Sequence, residues 1–309
     1  MAAWLDLTNE FQSLPGDGKT AWLNAKLFEA LNAIAAIRSS NVLCYYSAFL
    51  QKSQVPAPLV TITFEDVNGF MAGLYGMDFS KPLTLIIHTP GGSPNAAEAI
   101  VGYLRNKFTS IEVLVPTLSL SAGTMIVLGS DRVVMSRHSQ LGPIDPQFVS
   151  AGTSVSAQAV VDQFEMAKSD ILANRDLAHA WAPVLASIGP ALLQEAKNAL
   201  AYGENMVADW LGKYMFRSEP DAVEKGKRVA KHFNDAQTHR SHGRRIDRDA
   251  AASLGLNVEH LEANQLLQEN VLSAYHLLTI ACETGPATKI VVASTGRMWV
   301  KNLAVVQSP

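Results

Sequence analysis

The chain has 309 residues, 48% of them hydrophobic and 17% charged, so it holds enough apolar material for a sizeable core in one large domain or two smaller ones. A net charge of −3, with Lys and Arg scattered instead of gathered into a stripe, argues against a nucleic-acid partner. No stretch approaches the roughly 18 uncharged apolar residues a membrane span needs, and Met1 to Pro15 carries Asp6 and Glu10 where a secretory signal would be basic and then apolar. The two cysteines, Cys44 and Cys282, sit in apolar surroundings and read as buried free thiols, which makes a reducing, cytoplasmic setting the expectation.

Along the chain, Thr20 to Arg38 places Leu23, Leu27, Phe28, Leu31, Ile34 and Ala35 at helical spacing and predicts an amphipathic helix. Val42 to Phe49 and Leu59 to Phe64 predict strands joined by a loop with Pro56 and Pro58, and Asp66 to Leu74 a short helix. Leu83 to His88 reads as a buried strand, Thr89 to Pro94 as a breaker-rich turn, Asn95 to Phe108 as a helix and Ile111 to Val115 as a second buried strand. Such a βαβ unit has parallel strands and a right-handed crossover. Thr117 to Leu120 predicts a turn, Ser121 to Leu128 a short apolar helix and Arg132 to Met135 a third strand. Val155 to Phe216 reads as helical with a break at Gly189-Pro190, and Arg217 to Arg248 as a charged, more exposed segment. Helices over Asp249 to Leu254 and Leu261 to Ala281, then a hairpin of Lys289 to Ala293 with Met298 to Val300, complete the chain.

Two of these turns follow buried strands, precede helices and face the same end of a parallel sheet, where sites in such folds gather. In the first, Gly91 and Gly92 let backbone amides come close to a ligand; in the second, Ser121 stands at a helix start with the next amide free. A Thr-Pro-Gly-Gly turn alone is a turn, and a Ser before Ala-Gly-Thr alone is a cap. Together they supply a nucleophile beside an oxyanion hole, the requirement for acyl transfer.

In succession, Leu85-Ile-Ile-His-Thr-Pro-Gly-Gly92, Val113-Leu-Val-Pro116, Ser121-Ala-Gly-Thr124 and Leu141-Gly-Pro-Ile-Asp-Pro-Gln147 resemble the serine dehydrogenase proteinase family. Despite its name that family is a peptidase group, related to signal peptide peptidase A and the Clp protease within the crotonase-like superfamily. The motif-rich part runs from about Val60 to Phe148, and weaker similarity continues through Thr238 to Val258, with His239, His242-Gly243 and Ile246 in the expected order. The resemblance implies an α/β, Clp/crotonase-like layered fold of repeated β-β-α units with added N- and C-terminal helices. The expected division is an N-terminal helical extension over 1–40, a catalytic core over 41–218 and a closing segment with helices over 219–309.

Carried over residue by residue, Ser121 matches the nucleophile, and the amides of Gly92 and Ala122 match the oxyanion hole, with Gly91 shaping the turn. For the base, the position of the Clp histidine is taken by the Leu141 to Pro146 stretch, with Asp145 nearest, whereas the signal peptide peptidase relatives use a Ser-Lys dyad. Lys168, the first lysine after Ser121, is therefore ranked first as base, with His138, Asp145 and His179 as alternatives; Lys168 would need desolvation to act at neutral pH. His239 and His242, three residues apart with no ligand cluster beside them, do not make a metal signature, and no phosphate-cradling loop of the nucleotide-binding kinds is present. The expected activity is that of an ATP-independent serine peptidase acting on peptides or unfolded proteins, without cofactor or metal, in a homo-oligomer for which the first and last long helices offer apolar faces. A crotonase-like acyl-CoA hydrolase or hydratase and a catalytically degenerate peptide-binding scaffold are the alternatives.

Overall fold

The computed structural model describes residues 4–150, 153–188 and 191–303. The chain divides into two compact units, one formed by residues up to Leu141 with those from Arg245 onward, the other by the intervening Gly142 to Arg244. The first unit opens with α1 (Trp4–Ser13), α2 (Lys19–Arg38), β1 (Asn41–Ser47), α3 (Asp66–Leu74), β2 (Leu83–His88) and α4 (Pro94–Arg105). There follow β3 (Ile111–Val115), β4 (Leu118–Ser119), α5 (Ala122–Leu128), β5 (Arg132–Met135) and β6 (Gln140–Leu141). The second unit holds the hairpin of β7 (Gln147–Ser150) and β8 (Thr153–Ser156), then α6 (Ala157–Ala173), α7 (Ala178–Ile188), α8 (Leu192–Trp210), α9 (Ala222–Asn234) and α10 (Ala236–His239). The chain re-enters the first unit through α11 (Arg248–Ser253), β9 (Val258–His260), α12 (Gln265–Thr284), β10 (Ala287–Ala293) and β11 (Met298–Asn302).

Seven strands form one sheet in the order β11-β10-β1-β2-β3-β5-β9. The five from β1 to β9 are parallel, while β10 lies antiparallel to both β1 and β11. The central strands are buried along their whole length, the consequence of covering both faces. On one face, Val42, Cys44, Tyr46, Ile86, Leu114, Val134, Ile290 and Val292 pack with Leu27, Leu31 and Ile34 of α2 and Leu267, Val271, Leu278 and Cys282 of α12. On the other, Val101 and Leu104 of α4 and Ile126 of α5 meet Leu85 and Val113, and α3 lies so close that a Cβ at Gly73 would fall 2.5 Å from Leu43. The α/β layering implied by the resemblance is thus present.

At the starts of the strands, the buried Glu112 carboxylate gathers Arg38, Arg132 and Thr84. Its Oε1 accepts from Arg38 Nε at 2.7 Å and Thr84 Oγ1 at 2.6 Å, and its Oε2 from Arg132 Nε at 2.8 Å, so one side chain ties α2 to three strands. Burial works to raise the Glu112 pKa, but the Arg38 and Thr84 bonds outweigh it and hold the carboxyl below its usual value of 4.5.

Inside the second unit, α6, α8 and the hairpin share a small core of Ala157, Val160 and Ala196, and α9 rests on α8, where a Cβ at Gly226 would lie 2.6 Å from the Ala208 carbonyl oxygen.

Several expectations need correction. Leu59 to Phe64 is not a strand: the prolines restrict that stretch to a 3-10 turn (Ala57–Leu59), and only Ile62 pairs, through a single bridge to Gly92. The Thr117 to Leu120 turn contains β4, paired with β6, and the expected helical run from Val155 begins with the end of a hairpin. The charged segment from Arg217 contains α9, which buries Val229, Ala230 and Phe233 beneath its charged face. The Gly189-Pro190 break lies outside the described residues. The apolar faces of α2 and α12 are buried against each other and the sheet, which removes the ground on which they were offered for subunit contacts.

Replacing Glu112 by Leu leaves Arg38 without its main partner. A loss of about 3 kcal/mol is expected in urea unfolding at neutral pH. Because the folded-state pKa is depressed, the wild type holds this increment above the ordinary glutamate value of 4.5 and loses it as pH falls below it, so the difference between the two proteins should shrink in acid.

Candidate active site

The site in the first unit is built where β2 and β3 end side by side. After His88 the chain runs through Thr89, Pro90, Gly91 and Gly92 to Ser93, whose side chain caps α4 by accepting from the Ala96 amide at 3.3 Å. After Val115 it passes through β4 to Leu120 and Ser121 before α5 begins. The two loops are stitched together: Thr89 N donates to Leu118 O at 3.0 Å and Leu120 N to Thr89 O at 3.1 Å.

Ser121 has φ 52° and ψ −120°. This is a sparsely populated conformation for a residue with a Cβ, costing on the order of 1–3 kcal/mol, and such strain concentrates where a strand turns sharply into a helix to expose a nucleophile. Packing enforces it. A Cβ at Gly91, whose φ is +98°, would lie 2.6 Å from both Leu120 O and Ser121 Cβ, and one at Gly123 would lie 2.4 Å from Thr89 Cγ2. Among the described residues of its unit, the half-buried Ser121 hydroxyl makes no hydrogen bond.

The amides beside it divide in use. Gly91 N donates to Thr89 Oγ1 at 3.2 Å, whereas those of Gly92 and Ala122 donate to no described group of their unit. Gly92 is flanked by Ile62 on both sides, since Ile62 N donates to Gly91 O at 2.7 Å and Ser93 N to Ile62 O at 2.9 Å. Two unpartnered amides, one on each side of a strained serine, can bind a developing oxyanion.

Among the histidines of this unit, His88 is buried between Tyr46, Phe49 and Tyr275, with ring centroids 5.0, 5.0 and 5.1 Å away, and its Nδ1 lies 2.8 Å from Thr117 Oγ1. Burial pushes its pKa down to about 3, so it stays neutral at physiological pH. His138 is exposed in the turn after β5, beside His276 of α12.

In the second unit, Lys168 is exposed on α6 with its ammonium 3.7 Å from Glu165, and His179 is exposed on α7. Asp145 is buried. Its Oδ1 accepts from His242 Nδ1 at 2.7 Å and its Oδ2 from Gln147 Nε2 at 2.6 Å. A carboxylate only accepts, so Nδ1 carries the proton and Nε2 offers its lone pair. The His242 ring is 31% exposed and opens onto a cleft of about 240 Å³ that Ser156, Asp162 and Arg240 also line. His239 turns the other way, its Nε2 lying 2.7 Å from the His232 carbonyl oxygen. The Asp145–His242 pair was not anticipated, because 97 residues separate its members; the signal present in the chain was His242-Gly243 recurring in order after the Asp145 motif.

Residues 19–269 match the sequence profile of the ClpP-like SDH-type serine proteinases. The chain belongs to that family. An uncharacterised protein of Methanocaldococcus jannaschii is 29% identical over 198 residues, 64% of this chain and 60% of that one. A second from the same organism is 35% identical over 86 residues, 28% of this chain and 30% of that one. This family member therefore spans less than two thirds of either relative. The solved structure of a membrane-bound stomatin-specific protease, 1510-N in its S97A form, aligns over 64% of this chain and 74% of that one at 16% identity with a TM-score of 0.38. In the present chain no helix among the described residues is long and apolar enough to cross a membrane.

If the Ser121 backbone is strained, glycine should relieve it. Ser121→Gly is expected to be more stable than Ser121→Ala by about 1 kcal/mol, after allowing for the greater freedom of unfolded glycine. Equal denaturation midpoints for the two variants would remove the strain argument.

Proposed function

We propose that the protein is a serine peptidase in which Ser121 is the nucleophile and the amides of Gly92 and Ala122 hold the oxyanion. The observation that carries this reading is the strained Ser121 backbone between two amides without acceptors. Ser121 Oγ adds to the peptide carbonyl carbon as its proton passes to the base; the tetrahedral intermediate then expels the amine, which takes that proton. Water repeats the sequence on the acyl-enzyme and frees Ser121. No step calls for a nucleotide or metal, and the substrates are peptides or unfolded segments that can present an extended backbone. Assembly as a homo-oligomer in the cytoplasm belongs to the same proposal.

For the base, His242 oriented by Asp145 is preferred to Lys168. The choice rests on the surroundings of each group inside the second unit: the imidazole is held in one tautomer by a buried carboxylate, whereas the lysine is 69% exposed beside a glutamate, without the desolvation a neutral amine requires. His138 and His179 have no orienting carboxylate among the described residues of their units.

A fluorophosphonate probe is expected to label the wild type and not Ser121→Ala, and the wild type alone should degrade an unfolded protein. His242→Ala should slow labelling by about 10²- to 10⁴-fold, while Lys168→Ala changes the rate less than about twofold. Labelling that survives in Ser121→Ala would exclude the nucleophile. Turnover of CoA thioesters alone would favour the crotonase alternative, and peptide binding without any turnover the scaffold.

A further inference from the structure

Behind the glycine loop of the first unit lies an ion pair with no access to solvent. Lys289 of β10 and Asp66, the first residue of α3, are both fully buried, with Nζ 2.6 Å from Oδ1. Burying two charges costs roughly what their attraction returns, so an apolar pair of similar size would serve stability as well or better. The location of the remaining hydrogen bonds is more informative than the pair itself. Lys289 Nζ donates to Thr61 O at 3.0 Å and reaches Thr63 Oγ1 at 3.4 Å, and Asp66 Oδ2 accepts from Thr63 N at 2.8 Å. The same oxygen accepts from Tyr45 OH at 3.2 Å, and the Tyr45 ring stacks on Phe70 of α3 at 5.7 Å.

Both charges thus hold peptide groups on either side of Ile62, in a segment that belongs to no strand of the sheet. Ile62 in turn holds both neighbours of Gly92, accepting from Ser93 N and donating to Gly91 O. The fit is tight, since a Cβ at Gly92 would lie 2.4 Å from Ile62 N and O. Charge-assisted bonds are shorter and more directional than neutral ones, which suits a support that must not yield when charge develops on the other side of the loop.

We propose that the Lys289–Asp66 pair, steadied by Tyr45, is a positioning device for the oxyanion loop: it clamps Thr61 and Thr63, and through Ile62 sets the direction of the Gly92 amide. The proposal rests on the peptidase reading. The three side chains are positioning residues, for none of them touches the reacting atoms.

The test uses the full chain and the double variant Asp66→Leu/Lys289→Met, which removes both charges and strands neither. The wild type and variant are compared in thermal unfolding, in cleavage of a quenched fluorescent peptide selected on the wild type, and in inhibition by the aldehyde of that peptide, whose tetrahedral adduct needs the oxyanion hole. The alcohol of the same peptide, which forms no adduct, is the control. The double variant is expected to unfold within a few degrees of the wild type, with kcat lower by about 10- to 100-fold and KM changed less than about twofold. Affinity for the aldehyde should fall in parallel with kcat/KM, while that for the alcohol is unchanged. A purely structural pair would instead alter unfolding and leave kcat per folded molecule intact, and that result would overturn the proposal. Should the double variant fail to fold, Asp66→Asn/Lys289→Gln, which keeps size and hydrogen-bonding capacity, gives the decision: a 3- to 10-fold lower kcat supports the clamp and an unchanged kcat rejects it. A wild type that fluorophosphonate does not label at Ser121 brings down the peptidase reading and this proposal with it; a labelled wild type whose rate the variants share brings down the proposal alone.

Discussion

The close approach of two loops at the ends of adjacent parallel strands is the constraint from which the rest of this structure follows. For Gly91 to lie against Ser121, the chain must do without a Cβ at 91, and the serine must adopt φ 52° and ψ −120°, which an isolated peptide avoids. Neither condition is local. The strain persists because Thr89 is bonded through both its amide and its carbonyl to the β4 stretch, and because Gly123 lets α5 settle onto Thr89. A rigid, buried sheet beneath makes such a conformation tolerable, since relaxing it would break bonds and contacts on both loops.

Charge is placed at both ends of the sheet. At the strand starts, Glu112 binds Arg38 and Arg132 and has a stabilising role; around the glycine loop, the one fully buried ion pair among the described residues backs the segment that holds Gly92. His88 precedes the loop directly, but burial among aromatic rings keeps it neutral, so it adds no charge to the sheet end where an anion would form. The Lys289–Asp66 pair lies behind Thr61 and Thr63, while the amides of Gly92 and Ala122 have no acceptor among the described residues of their unit.

Much of this architecture was legible because its signals are local. Leu83 to His88, Ile111 to Val115 and Arg132 to Met135 are short apolar runs bounded by breakers, the pattern of a strand covered on both faces. Ser121, Gly91 and Gly92 stand out as candidates for the same reason, each lying within a few residues of such a run. Ile62 was misread as part of a strand because its pairing comes from one bridge to Gly92, and no periodicity records a single bridge. Helix α9 was misread as an exposed segment because its charged face dominates the composition, while Val229, Ala230 and Phe233 are few and spaced around the turn.

The parallel core strands β2, β3 and β5 and the family can be read along the chain, since they depend on apolar periodicity and on glycines and prolines that act within a few residues. Which polar groups find each other is set by the fold: Asp145 with His242, 97 residues apart, and Asp66 with Lys289 around the backbone of Thr61 and Thr63. Such pairings are set by where the chain returns after long excursions, and the free energy that enforces them is the cost of leaving a buried charge or donor unmatched. That cost appears only when the fold has removed the water, and no spacing along the chain announces it.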